Sequence, residues 1–273
     1  MAKPVKVVDV AIIGAGFAGV GVGIALKKKN INNFVIFEGD SSVGGAWRKN
    51  TYPGCGCDVP SHLYSYSFEP NPDWPEAYSK QKDIKSYIEH CTEKYQVGPH
   101  IRFNTRITHA DFDEAKGVWR LTESDDSITE ARVFVPAIGA LSIPQYPNVK
   151  GRETFEGATS HAAAWDDTLD LTGKRVAVIG TGAVQVVPNV AEDVAQLHVF
   201  QRTASWVIPK RNRVYTDEER QQWAKYPYKQ RIERLKLYWT METSIPALMW
   251  YPKLLEIGEA AHTKKLNRAI TDP

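Results

Sequence analysis

Val8-Asp9-Val10-Ala11-Ile12-Ile13-Gly14-Ala15-Gly16-Phe17-Ala18-Gly19 is the stretch that decides the fold of this 273-residue chain. Val8 to Ile13 form a short apolar run of strand-forming type that enters a Gly-x-Gly-x-x-Gly turn. A helical segment follows to about Lys29, and a second apolar run, Phe34–Phe37, ends in Glu38. Strand, glycine turn, helix, strand and terminal acid, with the acid about twenty residues past the last glycine, make a dinucleotide-binding βαβ unit. Gly14 makes the tight turn, Gly16 lets the backbone approach a pyrophosphate, and Gly19 lets the helix pack closely on the strand. The helix N-terminus offers unpaired N–H groups and a partial positive charge to phosphates. Glu38 can accept hydrogen bonds from ribose hydroxyls. A glycine triplet alone could equally be a packing turn; the flanking strand and the acid are what favour a dinucleotide.

The length leaves room for about two domains. A formal net charge of +2 points to no nucleic-acid or membrane footprint. Three cysteines, Cys55, Cys57 and Cys91, make an odd count unlike a secreted disulfide scaffold. A reduced cytosol fits better, so a cytoplasmic location is expected. Cys55-Gly56-Cys57 could be half of a metal site, but no second Cys/His pair at zinc spacing accompanies it, and no metal is expected. The first apolar run is only a strand long and leads straight into the glycine turn, so no signal peptide is expected. Leu237–Ile257 is interrupted by Glu242, Lys253 and Glu256, so no membrane span is expected either.

Gly44-Gly45-Ala46-Trp47 and Thr51–Asp58 are so rich in Gly, Pro and small residues that they read as loop, not regular structure. That loop is either a surface connection or, given Trp47 and Asp58, the lining of a flat ring. Ser61–Phe68 is aromatic-rich and could wall an apolar pocket. Gln81–Tyr95 reads as an amphipathic helix, with Ile84, Tyr87, Ile88 and Cys91 at i, i+3, i+4 and i+7. Arg102–Thr105, Thr108–Asp113, Val118–Thr122 and Arg132–Ala137 read as short strands, with a turn at Glu114–Gly117. A meander of this kind commonly covers a nucleotide-binding sheet. Ile143–Pro147 reads as an interdomain connection.

A second strand–glycine turn–helix unit comes next: strand Arg175–Ile179, turn Gly180-Thr181-Gly182, helix from Ala183, strand Leu197–Phe200. This last strand leads into Gln201-Arg202-Thr203, with no acid. A cation there is the arrangement expected for a 2′-phosphate, which favours NADP over NAD; the alternative is a solvated surface arginine. From Thr216 onward the chain reads as helical, opened by the capping box Thr216-Asp217-Glu218-Glu219. Trp223, Ile232, Leu235 and Trp239 supply an apolar stripe, read as core or a packing face.

Between the two units, Phe155-x-Gly157-x-x-x-His161-x-x-x-Trp165-Asp166 resembles the fingerprint of the Baeyer–Villiger monooxygenases, within the class B flavin monooxygenases. Gly44-Gly45-x-Trp47, Tyr52-Pro53-Gly54-x-x-Cys57-Asp58 and Gln201-Arg202-Thr203 match further family stretches. The resemblance covers essentially the whole chain, in the family's order. It implies an enzyme that uses NADPH, FAD and O2 to insert oxygen into a ketone or oxidise a soft heteroatom through a C4a-peroxyflavin. It implies FAD contacts from Gly14, Gly16, Ala18, Gly19, Glu38, Gly45, Trp47, Asp58 and Tyr64, with Asp58 also setting the charge beside the flavin. NADPH would be held by Gly180, Thr181, Gly182, Ala183, Arg202 and Thr203. His161 would couple the two domains, or serve only as a linker histidine bonded to backbone.

The chain departs from the family pattern in three places. Two small residues are missing between the equivalents of Ala183 and Val184, which rotates the remainder of the helix by roughly 200° and puts bulky Gln185 at the third small position. Ile138 replaces the family's usual threonine. Only two strands of the second sheet are present, so the expected architecture is α/β: two Rossmann-like domains of glutathione-reductase type, the second incomplete with a helical insertion. The expected division is 1–142 for FAD, 143–215 for the start of the NADP domain and 216–273 for a truncated helical segment. No residue can be given the role of the family's peroxyflavin-stabilising arginine. Three expectations follow: a monooxygenase by family, truncated and active or inactive alone; a FAD-binding fragment needing a partner chain; or an uncoupled NADPH oxidase.

Overall fold

The computed structural model describes residues 5–141, 143–180, 184–203, 210, 212–243, 249–250, 259, 263–264 and 267–268. The chain forms two compact units, Met1–Gly56 with Lys80–Gln201, and Cys57–Ser79 with Arg202–Pro273.

The first unit is α/β. Strand β1 (Lys6–Ile13) leads into α1 (Phe17–Lys28) and β2 (Phe34–Phe37), and β1 pairs in parallel with β2 from Val10–Phe34 to Ile13–Phe37. A central parallel strand is covered on both faces, so its sequence runs apolar without alternation; Val10, Ala11 and Ile12 are buried, as is all of β2. Helix α3 (Gln81–Lys94) buries Ile84, Tyr87, Ile88 and Cys91, the face read from its periodicity. Strands β3 (Ile101–Arg102), β4 (Ile107–Asp113), β5 (Val118–Glu123) and β6 (Ile128–Pro136) complete a six-stranded sheet in the order β3-β2-β1-β6-β5-β4.

Several expectations need correction here. The strand expected over Arg102–Thr105 ends at Arg102, because Asn104 turns the chain with φ of 54°. The meander does cover the sheet, Leu121 of β5 packing in one cluster with Ala11, Val35 and Phe37 and Glu123 of β5 pairing with Arg102 of β3 at 3.0 Å, but it is also hydrogen-bonded into it. β6 pairs in parallel with β1 on one side and antiparallel with β5 on the other, so β5 and β4 extend the sheet at its edge. The loop after β2 contains one helical turn, α2 (Ala46–Lys49); the Asn50 amide and the Asn50 side chain beyond it both bond the Ala46 carbonyl.

The second βαβ unit has β7 (Arg175–Ile179) parallel to β8 (Gln196–Phe200), a two-stranded sheet among the described residues. The helix expected from Ala183 is the five-residue α4 (Val186–Val190); Thr181, Gly182 and Ala183 lie outside the described residues.

In the second unit, α5 (Asp217–Lys225) and α6 (Pro227–Glu242) follow the predicted capping box, with Thr216 Oγ1 accepting from Glu219 N at 3.2 Å. The helical stretch breaks at Tyr226, since Pro227 lacks the N–H that would continue α5 and instead starts α6. Of the predicted stripe, Trp223 is buried, whereas Ile232, Leu235 and Trp239 are exposed. Among the described residues no helix is long and apolar enough to cross a membrane.

Candidate dinucleotide sites

The first glycine turn has no room for side chains. Gly14 sits at φ +98°, where a Cβ would lie 2.4 Å from the Ala137 carbonyl oxygen; on Gly19 it would lie 1.8 Å from the Gly14 oxygen. Gly44 N donates to the Ala15 carbonyl at 3.0 Å, and a Cβ on Gly45 would stand 3.0 Å from Gly16 Cα. The turn is thus braced from outside by the loop that carries Gly45 and Trp47. Helix α1 starts at Gly16 with no side-chain cap and no acid in its first turn, while Ala18 is exposed. An uncapped first turn with small residues leaves backbone N–H groups facing outward, the arrangement that takes a pyrophosphate.

Glu38 is buried at the end of β2. Its Oε2 accepts from Ala15 N at 2.7 Å and its Oε1 from Asp40 N at 2.9 Å. Each carboxylate oxygen has a further lone pair, so the same group can still accept from ribose hydroxyls. Asp40 pairs with Arg48 at 3.3 Å and Lys49 at 3.4 Å, fixing α2 beside it. Trp47 lies on α2, and its carbonyl accepts from the Gln81 side-chain amide. These residues fit the adenosine diphosphate part of FAD, on the evidence of a cradle that a Cβ would fill and an acid set against it.

The first glycine of the second turn, Gly180, matches Gly14. Gly180 has φ +94°, and its N–H donates to the Phe200 carbonyl at 2.8 Å; Gly14 donates to Phe37 at the same distance. Gln201 takes the place of Glu38, and Arg202 and Thr203, both exposed, come next. Gln185 lies against the loop after β2: Tyr52 Oη reaches Gln185 Oε1 at 3.4 Å, and Gly54 (φ +78°) packs against Asn189 and the Gln185 carbonyl.

Of the fingerprint, the Phe155 ring lies over Gly157. His161 Nδ1 accepts from Ala163 N at 3.0 Å, which leaves Nε2 to donate to the Gln145 carbonyl at 3.3 Å, with the Tyr146 ring edge-on at 4.9 Å. His161 therefore ties the 143–147 connection to its own turn through backbone bonds. Trp165 lines a cavity of about 390 Å³ with Thr51, Pro53, Leu169, Asn189 and Asp193.

Asp58 and Tyr64 belong to the second unit. Asp58 is exposed and pairs with Lys210 Nζ at 3.2 Å, and the same ammonium donates to the Cys57 carbonyl at 2.7 Å. Tyr64 N closes a turn onto the Pro60 carbonyl at 2.9 Å. Burial raises the Cys55 and Cys57 thiols above the ordinary range, so both stay protonated and act as small apolar groups.

The sequence did not single out His62, which holds this unit together. Its imidazole is 2% exposed, set edge-on to Trp223 at 4.5 Å and tilted on Tyr215 at 5.3 Å. Gln230 Nε2 reaches its Nδ1 at 3.2 Å and donates to the Asn71 carbonyl at 2.5 Å, while His62 Nε2 has no partner among the described residues. Burial first, then the Arg234 and Arg213 charges, push the His62 pKa down to about 4. Arg234 grips the carbonyls of His62, Leu63 and Ser65. The aromatic density of Ser61–Phe68 was the available signal, but the partners lie far off in sequence, with 168 positions between His62 and Gln230.

Residues 11–244 match the family model described as pyridine nucleotide-disulphide oxidoreductase. A Baeyer-Villiger monooxygenase of Pseudomonas aeruginosa is 40% identical over 266 residues, covering 97% of this chain and 50% of its own length. The closed crystal structure of cyclohexanone monooxygenase superposes with a TM-score of 0.76 at 35% identity, covering 85% of this chain and 44% of that one. A structure of OTEMO in complex with FAD and NADP gives 0.73 at 33% identity, covering 80% and 44%. The chain spans about half the length of the curated relatives it matches. With Gly14 and Gly180 alike at the ends of two parallel-paired strands and the fingerprint between them, the chain belongs to the pyridine nucleotide-disulphide oxidoreductase family, on the branch of the Baeyer–Villiger monooxygenases.

Proposed function

We propose that this chain is the part of a Baeyer–Villiger-type flavin monooxygenase that binds FAD and receives NADPH, acting in oxygen insertion into ketones or heteroatom oxidation. The observation that carries this reading is the glycine cradle closed by Glu38. Residues 1–142 are assigned to FAD, 143–215 to the start of the NADP domain and 216–273 to the helical segment. Gly14, Gly16, Ala18, Gly19, Glu38 and Gly45 would hold the dinucleotide; Trp47, Asp58 and Tyr64 are assigned to the flavin by family likeness. Gly180, Thr181, Gly182, Ala183, Arg202 and Thr203 would hold NADPH, the Arg202 guanidinium selecting the 2′-phosphate by a bidentate grip. Bound FAD supplies the electron transfer and the reaction with O2; the chain's own share is binding, orientation and exclusion of water.

The half-length match to the relatives favours a second reading of the same site: a FAD-binding piece that turns over only with a partner chain completing the fold. Three free, buried cysteines support a reduced, cytoplasmic setting for either.

The test is anaerobic titration of FAD-loaded protein with NADPH, followed by aeration with a ketone. Bleaching and an oxygenated product support the monooxygenase. A yellow protein that does not bleach supports the piece needing a partner. NADPH oxidation matched by hydrogen peroxide identifies an uncoupled oxidase, and a chain that retains no FAD refutes the proposal.

A further inference from the structure

Helix α6 is built inside out. Gln230 is buried against His62 and Asn71, and half-buried Arg234 reaches the carbonyls of His62, Leu63 and Ser65, so beside half-buried Leu237 the helix meets its own unit through polar side chains. The opposite face carries Tyr228, Ile232, Leu235 and Trp239, which are 58%, 48%, 55% and 59% exposed. Their spacing of i, i+4, i+7 and i+11 is that of a helix-packing seam, about 16 Å long at 1.5 Å per residue. An apolar face presented to water while polar groups are buried behind it marks a contact surface.

Charge decides what kind of contact. At 100° per residue, Lys229 and Lys236 border the seam on one side, Lys236 paired with Glu233 at 3.7 Å, and Arg231 borders it on the other, with Glu242 beyond its C-terminal end; the border is net cationic. Two copies laid seam to seam would oppose cation to cation along most of the length, which disfavours self-pairing. A ridge of apolar residues bordered by carboxylates fits instead. The relatives carry about as much sequence again as this chain matches. We infer that the Tyr228–Trp239 seam is the docking face for that unmatched half of the family fold, presented as an acid-bordered apolar surface. This rests on reading the chain as part of a monooxygenase.

The test is co-expression of this chain with a tagged version of the unmatched half of the Pseudomonas aeruginosa relative. The wild-type chain should co-purify with it. Ile232→Glu with Leu235→Glu should weaken capture at least about thirty-fold, as expected for the centre of an interface. Lys229→Gln with Lys236→Gln should weaken it less and make it nearly insensitive to salt. Because these side chains are exposed, the variants should keep wild-type circular dichroism and FAD retention. Failure to co-purify, or capture indifferent to the seam variants, overturns the inference. So does a concentration-dependent dimer of the chain alone that the variants abolish, or seam-dependent binding to phosphatidylserine vesicles. FAD measured in the same samples separates the two readings: lost flavin with intact capture sinks the cofactor assignment, retained flavin without capture sinks the docking face.

Discussion

Glu38 Oε2 accepts the Ala15 amide at 2.7 Å, so the acid and the glycine turn are one hydrogen-bonded body made by the protein alone. Glu38→Ala removes both this bond and the ribose acceptor. FAD affinity should fall by about ten- to a hundred-fold, the range for losing hydrogen bonds to a charged group. Quenching of flavin fluorescence measures it, and unchanged affinity would remove Glu38 from the site.

Gly19→Ala places a methyl 1.8 Å from the Gly14 oxygen, which neither backbone can avoid without moving. Stability should drop by about 3 kcal/mol, at the upper end for overpacking. Gly39→Ala, with nothing within 4 Å, is the control and should cost no more than about 0.5 kcal/mol. Urea unfolding of the two variants separates close approach from a general intolerance of glycine replacement.

His62 gives the second unit a pH dependence of definite sign. Its pKa is about 4 when folded, against an ordinary value of 6.5. The unfolded chain therefore binds the proton first, and stability is complete above pH 6.5 and lost as pH falls toward 4. The loss approaches about 3 kcal/mol, from 1.36 kcal/mol per pKa unit. Thermal unfolding followed by tryptophan fluorescence should show this slope, and His62→Gln should flatten it. The Glu219 charge pulls the His62 pKa back up, the weakest of the influences on it; the Glu219 carboxyl itself is held below its ordinary range chiefly by Arg213, so its own contribution is likewise lost as pH falls.

Arg202 comes one position past Gln201, the residue that takes the place of Glu38 after β8. Arg202→Ala should reduce the preference for NADPH over NADH by at least about tenfold, the loss of a bidentate phosphate contact. Equal preference before and after the change, in flavin-reduction kinetics, would return Arg202 to the solvated surface.

The first βαβ unit was legible because its signals are local. Phe34–Phe37 and Arg175–Ile179 coincide with the strands observed, and the Ile84–Cys91 face is the one buried. What local signals could not give is pairing across the chain. Nothing within Ile128–Pro136 says that it borders β1 on one flank and β5 on the other, so the covering position of the meander was readable but its hydrogen bonding into the sheet was not. The α6 stripe was readable as apolar, but its outward direction depends on Gln230 and Arg234 having distant polar partners. The missing pair of residues in the second turn was visible; that Gln185 would then meet Tyr52 was not.

Strand β6 is stitched along both flanks, to β1 over Thr129–Pro136 and to β5 over Ile128–Ala131. Neither neighbour can be peeled away without exposing a hydrogen-bonding edge of β6. All six strands should consequently melt in a single calorimetric transition, and the amides of Thr129 to Ala131 should be among the last to trade their hydrogens for deuterium.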